Sequence, residues 1–166
     1  MARITPQDVE SAYAHFYIRA QYTWVHMLAE HLADCSRVFR GDLQAMLVLA
    51  VIGQSYLYRH LQEVGERPPE DEVPLPVLAG TSINASSLSD ILGIPRETVR
   101  RKLEDLRTAG WIEKDEKSGY QLAMQGGRMT AREALSELDQ RQMKRVARMV
   151  AEFARLAQLG AGPGTD

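Results

Sequence analysis

The chain has 166 residues, of which 45% are hydrophobic and 25% are charged, and its formal net charge at pH 7 is -2. This composition suits a globular protein with a sizeable core, and it argues against a wholly basic protein that coats nucleic acid. Any anion-binding function must therefore depend on a local patch of positive charge.

The sequence has few features that indicate membrane targeting, secretion or disulfide formation. No apolar run is long enough to span a bilayer, and the N-terminus lacks the charged-then-apolar order of a secretory signal. We therefore expect a cytoplasmic protein with no membrane partner. Cys35 is the only cysteine, so no disulfide can form within one chain.

Residues 1–64 are predicted to be helical. Thr5-Pro6 followed by Asp8 indicates a helix start. Apolar and aromatic residues then recur at spacings of three and four, which predicts one long helix to about Val38: Val9, Tyr13, Phe16, Ala20, Trp24, Met27 and His31. A second helix is expected from Leu43, with the following residues on or beside its apolar face: Met46, Leu47, Ala50, Val51, Gln54, Leu57, Tyr58 and Leu61.

Residues 65–82 are predicted to be a loop, because they hold four prolines and a cluster of acidic residues. Residues 127–159 are predicted to form a C-terminal dimerisation helix that Thr130 caps. Its apolar stripe approximates a heptad: Leu135, Leu138, Val146, Met149, Phe153 and Leu156. The tail at 160–166, with the sequence GAGPGTD, is expected to be disordered.

Residues 83–126 contain the most informative pattern. Asn84 or Ser86 can cap a short helix from Ser87 to Leu92, with Leu88, Ile91 and Leu92 pointing inward. Gly93 permits the positive φ that ends a helix, and Pro95 presets φ for the next one, which is the pattern of a helix-turn-helix.

The second helix of this motif has an apolar face formed by Val99, Leu103 and Leu106, and Gly110 ends it. The segments WIEKD and YQLA then alternate around Glu116-Lys117-Ser118-Gly119, which predicts a β-hairpin. A hairpin in this position is a wing.

The segment LSDILGIPRETVRRKLEDLRTAGWIEKDEKSGYQLA resembles the winged helix-turn-helix domain of bacterial transcriptional regulators. The wing is similar to that of IclR-type regulators, whereas the helices on both sides and the sequence LAMQGGRM look more like the MarR-type layout. The resemblance implies a mainly α fold: a winged helix-turn-helix with a small β-hairpin wing, flanked by long N- and C-terminal dimerisation helices.

The same resemblance implies binding to double-stranded DNA by a homodimer, with the helix from Arg96 in the major groove. Arg96, Arg100 and Arg101 are then candidates for base contacts. Glu97 either accepts a hydrogen bond from a cytosine amino group or weakens non-specific binding to DNA. Phosphate contacts are expected from Ser86, Ser87, Thr98 and Lys102, and wing contacts from Lys114 and Lys117.

Other interpretations remain open at this point. A winged helix can also be a protein-interaction adaptor without specific DNA binding. The aromatic residues Tyr13, Phe16, Tyr17 and Trp24 either line a pocket for a small-molecule effector or form core or a dimer seam.

Cys35 is either a peroxide-sensing thiol or, more simply, buried and inert. Arg141, Lys144, Arg145 and Arg148 form a second basic stripe, which we expect to be a solvated surface.

Chemical motifs are otherwise lacking. His26 and Glu30 fall one turn apart, but the four histidines form no convincing set of metal ligands, so we expect no metal. No phosphate-binding glycine loop or catalytic signature occurs in the sequence, and we expect neither a cofactor nor catalytic residues.

Overall fold

A computed structural model describes residues 4–64, 75–76, 78–116 and 119–160 of the chain. Most of the predicted loop at 65–82 lies outside the described residues, as do Lys117 and all of the predicted tail except Gly160. The helices are α1 (Pro6–His15), α2 (Tyr17–Val38), α3 (Leu43–Val64), α4 (Ala85–Leu92), α5 (Arg96–Thr108), α6 (Thr130–Ala134) and α7 (Ser136–Gly160). The strands are β1 (Ile112–Lys114), β2 (Tyr120–Leu122), β3 (Met124–Gln125) and β4 (Arg128–Met129).

The chain divides into two compact units. One, the terminal unit, consists of Met1–Val38 and Glu137–Asp166, and the other, the central unit, is Phe39–Ser136. The predicted boundaries grouped α3 with the N-terminal helices, but α3 packs against α4, α5 and β2 and so belongs to the central unit. The mainly α class is confirmed, with two short antiparallel hairpins among the described residues.

In the terminal unit, α1 and α2 pack against α7. Ala12, Ala20, Leu156 and Ala157 are buried together. The prediction of one helix from Pro6 to Val38 was wrong, because Phe16, with φ -106° and ψ 38°, separates α1 from α2. The apolar spacing continues across Phe16, so periodicity alone gives no sign of the break.

The predicted apolar face of α3 was also wrong. Leu47, Leu57, Tyr58 and Leu61 are 41 to 66% exposed. The buried residues lie on another face of the helix: Ala45, Val48, Leu49, Ile52 and Tyr56. Apolar residues surround most of the first half of α3, so the sequence does not identify the face that meets the core.

The segment from α4 to α5 is formed largely as predicted. Asn84 caps α4 by accepting a hydrogen bond from the Ser87 N–H at 2.9 Å, and Gly93 ends it at φ 64°. The apolar face of α5, formed by Val99, Leu103 and Leu106, is buried. Ile91 was expected to point inward but is 60% exposed.

The first hairpin pairs Ile112 with Leu122 and Lys114 with Tyr120, as the alternation predicted. Backbone hydrogen bonds between Ile83 and Tyr120, both 2.9 Å long, join the segment before α4 to this hairpin. The second hairpin, β3 with β4, was not predicted. Its turn is Gly126-Gly127, where both residues have positive φ, a conformation that favours glycine.

The C-terminal helix is also interrupted, at Leu135, between α6 and α7. Thr130 is the first residue of α6 and not its cap, because its hydroxyl donates to the Gly110 carbonyl at 2.6 Å. The last helix continues to Gly160, the first residue of the predicted tail. Among the described residues, no helix is both long and apolar enough to cross a membrane.

Candidate nucleic-acid interface

The outer face of α5 carries exposed positive charge. Because Val99, Leu103 and Leu106 turn one side of the helix into the core, Arg96, Arg100 and Arg101 fall on the solvent side. All three guanidinium groups belong to one short helix. The buried face of this helix packs into the core and fixes its position.

Within the part of the chain that the structure describes, these three arginines form no close contact with a carboxylate, although the charge of Arg101 helps to lower the pKa of Asp42. Neither an ion pair nor a side-chain hydrogen bond connects them to another described residue. Arg107, farther along α5, differs because it forms two hydrogen bonds to Glu104, at 2.6 and 3.0 Å. The donors of Arg96, Arg100 and Arg101 therefore face water and are available to an anionic ligand.

A groove of about 930 Å³ runs beside this face. The groove is formed by the start of α4, the outer side of α5 and the first hairpin. It brings together six of the residues that the sequence proposed for DNA: Ser86, Arg96, Glu97, Arg100, Arg101 and Lys114. Sequence reasoning missed other lining residues: Asn84, Ala85, Glu104, Asp105 and Tyr120. Tyr120 could have been found, because the predicted hairpin sets it opposite Lys114.

Lys102 does not share this surface. Its ammonium group forms an ion pair with Asp42, just before α3, and its side chain is only 12% exposed. Burial raises the pKa of Asp42, but hydrogen bonds from Lys102 and the Ala45 N–H outweigh it and lower the pKa overall. The expected phosphate contact of Lys102 is therefore replaced by a structural role, since this ion pair ties α5 to the start of α3.

Other predicted phosphate contacts are less exposed than the arginines. Ser87 and Thr98 are half-buried and do not line the groove, and the Ser87 N–H is already used by the Asn84 cap. Ser86 is half-buried but lines the groove at the first turn of α4, where helix N–H groups attract anions.

The hairpin is anchored at its turn end to the segment before α4. Asp115 accepts hydrogen bonds from the Ser82 hydroxyl and from the Gly119 N–H, both at 2.6 Å. The ammonium of Lys114 lies 6.0 Å from the centre of the Tyr120 ring, at the outer limit of a cation–π contact. These contacts hold Lys114 beside α5, whereas Lys117, the other predicted wing contact, is outside the described residues.

The charge of the groove is mixed. Glu97, Glu104 and Asp105 line it together with the four cations. Arg107 lowers the pKa of Glu104 through hydrogen bonds, so this carboxylate is both ionised at neutral pH and partly neutralised. The groove is therefore positive mainly around the unpaired arginines.

The four aromatic residues proposed for an effector pocket differ in how far they are buried. Tyr13 and Phe16 pack against the buried cluster of the terminal unit, and Tyr13 stacks on Phe153 with ring centres 6.3 Å apart. Tyr17 is 52% exposed but packs edge-to-face on Tyr13, with ring centres 5.9 Å apart, whereas Trp24 is 41% exposed and lies outside this cluster. The core alternative therefore accounts for Tyr13 and Phe16.

The second basic stripe is only partly a solvated surface. Asp34, whose side chain is 6% exposed, accepts a hydrogen bond from Arg141 at 3.0 Å and another from Arg145, and it also pairs with Arg37. The hydrogen bond from Arg145 in particular holds the pKa of Asp34 below its ordinary value.

Cys35 is buried beside a histidine, with its Sγ 3.5 Å from Nε2 of His31. Burial, followed by the nearby charge of Asp34, raises the pKa of the Cys35 thiol, which makes the reactive thiolate less populated. His26 lies 3.8 Å from Glu30, but no group of three metal-ligating side chains occurs within residues 4–64, 75–76, 78–116 and 119–160.

No family model, curated protein or solved structure matches this chain. The resemblance to winged helix-turn-helix regulators therefore depends on the residues and geometry described above.

Proposed function

We propose that the protein is a sequence-specific, DNA-binding bacterial transcription regulator. In this proposal, α4, α5 and the first hairpin act as a winged helix-turn-helix, with α5 in the major groove and the wing on the backbone or in the minor groove. The observation that carries the proposal is the set of three exposed arginines on α5 that form no ion pair or side-chain hydrogen bond with another described residue.

Arginine suits this role because its planar group can donate two parallel hydrogen bonds to the edge of guanine. Arg96, Arg100 and Arg101 are the proposed base contacts. Ser86 and Lys114 line the same groove and are the proposed contacts to phosphate, which fix orientation without reading sequence.

We further propose that the regulator is a homodimer, formed through the N- and C-terminal helices. A single recognition helix covers few base pairs, whereas two helices about 34 Å apart read two half-sites. Exposed apolar side chains on α2 and α7, among them Ile18, Tyr22, Met143 and Val150, support this part of the proposal.

The direct test of the site is Arg100→Ala. We expect it to weaken binding to a selected operator by about 1 to 3 kcal/mol and to relax the preference at one base pair, because one bidentate contact is lost. Fluorescence anisotropy on a set of operators with single-base changes measures both effects. The matched control is Arg59→Ala, which removes an exposed arginine that pairs with Glu63 on α3. An equal effect of the two substitutions would contradict base reading by Arg100.

The alternative is a protein-interaction adaptor that uses the outer face of α5 for a protein partner. The carboxylates of Glu97, Glu104 and Asp105 in the same groove favour it, since they oppose a polyanion. Binding that depends weakly on salt and is indifferent to DNA sequence would support the adaptor.

A further inference from the structure

Helix α2 has two faces of opposite character. Ala20, Asp34 and Cys35 are buried within the terminal unit. On the other side of the helix, Ile18, Tyr22, Val25 and Leu32 are 79%, 61%, 47% and 38% exposed. A surface helix that packs against its own unit needs only one apolar face, so the outer one requires a separate explanation.

The outer residues follow a heptad. Ile18, Tyr22, Val25, Ala29 and Leu32, which we call the α2 seam, are separated by four, three, four and three positions. This is the spacing with which two helices pack side by side, each through alternate a and d positions. No member of the seam is charged.

A groove on the seam has the shape that such packing needs. Tyr22, Val25, His26 and Ala29 line it together with Gln21, and its volume is about 440 Å³. The first four occupy positions i, i+3, i+4 and i+7 of one helix. Four residues in this arrangement form the hole that receives a side chain from a facing helix in a coiled coil.

We propose that the α2 seam is covered by the α2 seam of a second copy of the chain, in antiparallel orientation about a two-fold axis near Val25. This inference deepens the proposed homodimer and rests on that part of the proposed function. Val25 of each copy packs against Val25 of the other at the axis, and the contacts on the two sides of the axis are equivalent by symmetry.

Side-chain size favours the antiparallel orientation. With the axis near Val25, the large Tyr22 faces the small Ala29 of the second copy, and Ile18 faces Leu32. In a parallel pair, two tyrosines would meet at one level and two alanines would leave a gap at another. Close packing favours the first arrangement, because large and small side chains then interdigitate.

Charge favours the same orientation. Arg19 is the cation beside the first seam residue, and it is 59% exposed although it pairs with Glu152. In an antiparallel pair the two Arg19 side chains lie at opposite ends of the seam, whereas a parallel pair would bring them to the same end. The antiparallel pair also aligns the two helix dipoles favourably.

The available area fits a dimer whose interface extends beyond α2. Tyr22 at 61% exposure offers roughly 100 Å², since a buried aromatic side chain removes 150 to 250 Å². The four large seam residues then offer on the order of 400 Å² per copy, half of the roughly 800 Å² typical of one partner in a stable interface. Met143 and Val150, exposed on α7 of the same unit, add to the apolar area available to the second copy.

Disulfide trapping in the full-length chain tests the pairing. The buried Cys35 is first replaced by alanine, and single cysteines are then introduced. We expect Val25→Cys to form a dimer by disulfide, and a mixture of Ile18→Cys with Leu32→Cys to form the mixed dimer. Ile18→Cys alone should not crosslink. Ala151→Cys, at an exposed alanine of α7, controls for random collision.

Light scattering accompanies the trapping. Val25→Asp places two carboxylates at the axis and should weaken dimerisation at least ten-fold, whereas Ala151→Asp should not, and circular dichroism checks that both fold. Self-crosslinking of Ile18→Cys would overturn the orientation. A stable dimer without any seam crosslink would overturn the seam but leave the homodimer, and a monomeric wild-type chain would overturn both. DNA binding is measured separately and is not decided by these results.

Discussion

Lys102 and Arg101 are neighbours on α5, yet their side chains have different environments. Lys102 is largely buried in its ion pair with Asp42, whereas Arg101 is exposed on the proposed DNA-binding surface. Adjacent cations of one helix can therefore contribute separately to stability and to binding.

Substituting these two residues should separate the two effects. Lys102→Met should lower the free energy of unfolding by roughly 1 to 2 kcal/mol, because it leaves the Asp42 carboxylate without its partner while that group keeps some contact with water. Arg101→Met should cost less stability than Lys102→Met, because Arg101 acts on Asp42 only through longer-range charge, and it should weaken DNA binding. Urea denaturation of both variants is the measurement. Equal stability of the two would contradict the structural role of Lys102.

Glu152 should make the stability of the chain sensitive to acid. Hydrogen bonds from Arg155 and Arg19 lower the pKa of Glu152 from 4.5 to about 2. Because the folded-state pKa is the lower one, the stabilisation is present above about pH 4.5 and is lost as the pH falls toward 2. Glu152→Gln should therefore be less stable than wild type at pH 6, and it should lose less stability between pH 6 and pH 3.

The comparison uses urea midpoints of the helical signal at the two pH values. Glu133→Gln is a suitable control, since Glu133 is an exposed carboxylate whose contact with Arg128 is 3.5 Å long. If wild type and Glu152→Gln lost the same stability on acidification, Glu152 would not be a source of acid sensitivity.

The turn end of the first hairpin depends on a close approach at Gly119. A Cβ at this position would lie 2.9 Å from Cβ and Oγ of Ser82 and 3.3 Å from Oδ1 of Asp115. The contact that fixes the hairpin therefore leaves no room for a side chain.

Two glycine substitutions should have opposite effects. Gly119→Ala should destabilise the chain by about 1 to 3 kcal/mol, because Ser82 must shift and its hydrogen bond to Asp115 is strained. Gly53→Ala, within α3 where nothing lies within 4 Å of the added Cβ, should stabilise it by roughly 0.5 to 1 kcal/mol. Thermal unfolding of both variants is the check, and a neutral Gly119→Ala would show that Ser82 yields freely.

The elements show which features of the fold can be predicted from sequence. Gly93, Gly110 and the alternation of the first hairpin act locally, so they could be recognised from a few neighbouring residues. The buried face of α3 could not be recognised in this way, because its partners α4, α5 and β2 are distant in sequence. The Gly126-Gly127 hairpin was detectable in principle, since two glycines between short segments favour such a turn.

The candidate site follows the same rule. The exposed arginines could be predicted because the apolar face of α5 determines where they point. The sequence could not show that Lys102 points away from that surface, since its partner Asp42 lies sixty positions earlier in the chain. The Asp34 network joins residues more than one hundred positions apart and was equally hidden.

The two units of the molecule carry different kinds of surface. The central unit carries the groove with the unpaired arginines, and the terminal unit carries the α2 seam. A regulator that reads two half-sites needs one surface for DNA and another for its second copy. Both surfaces are needed if the protein is, as we propose, a dimer that binds DNA sequence-specifically.

Selection from a random-sequence DNA library, followed by anisotropy of the enriched duplex against salt, tests that claim most directly. We predict a palindromic consensus and an affinity that falls steeply with salt, because bound arginines and lysines release counterions from the phosphates. A library that shows no enrichment after repeated rounds, with an intact and folded protein, would contradict the claim and favour the adaptor.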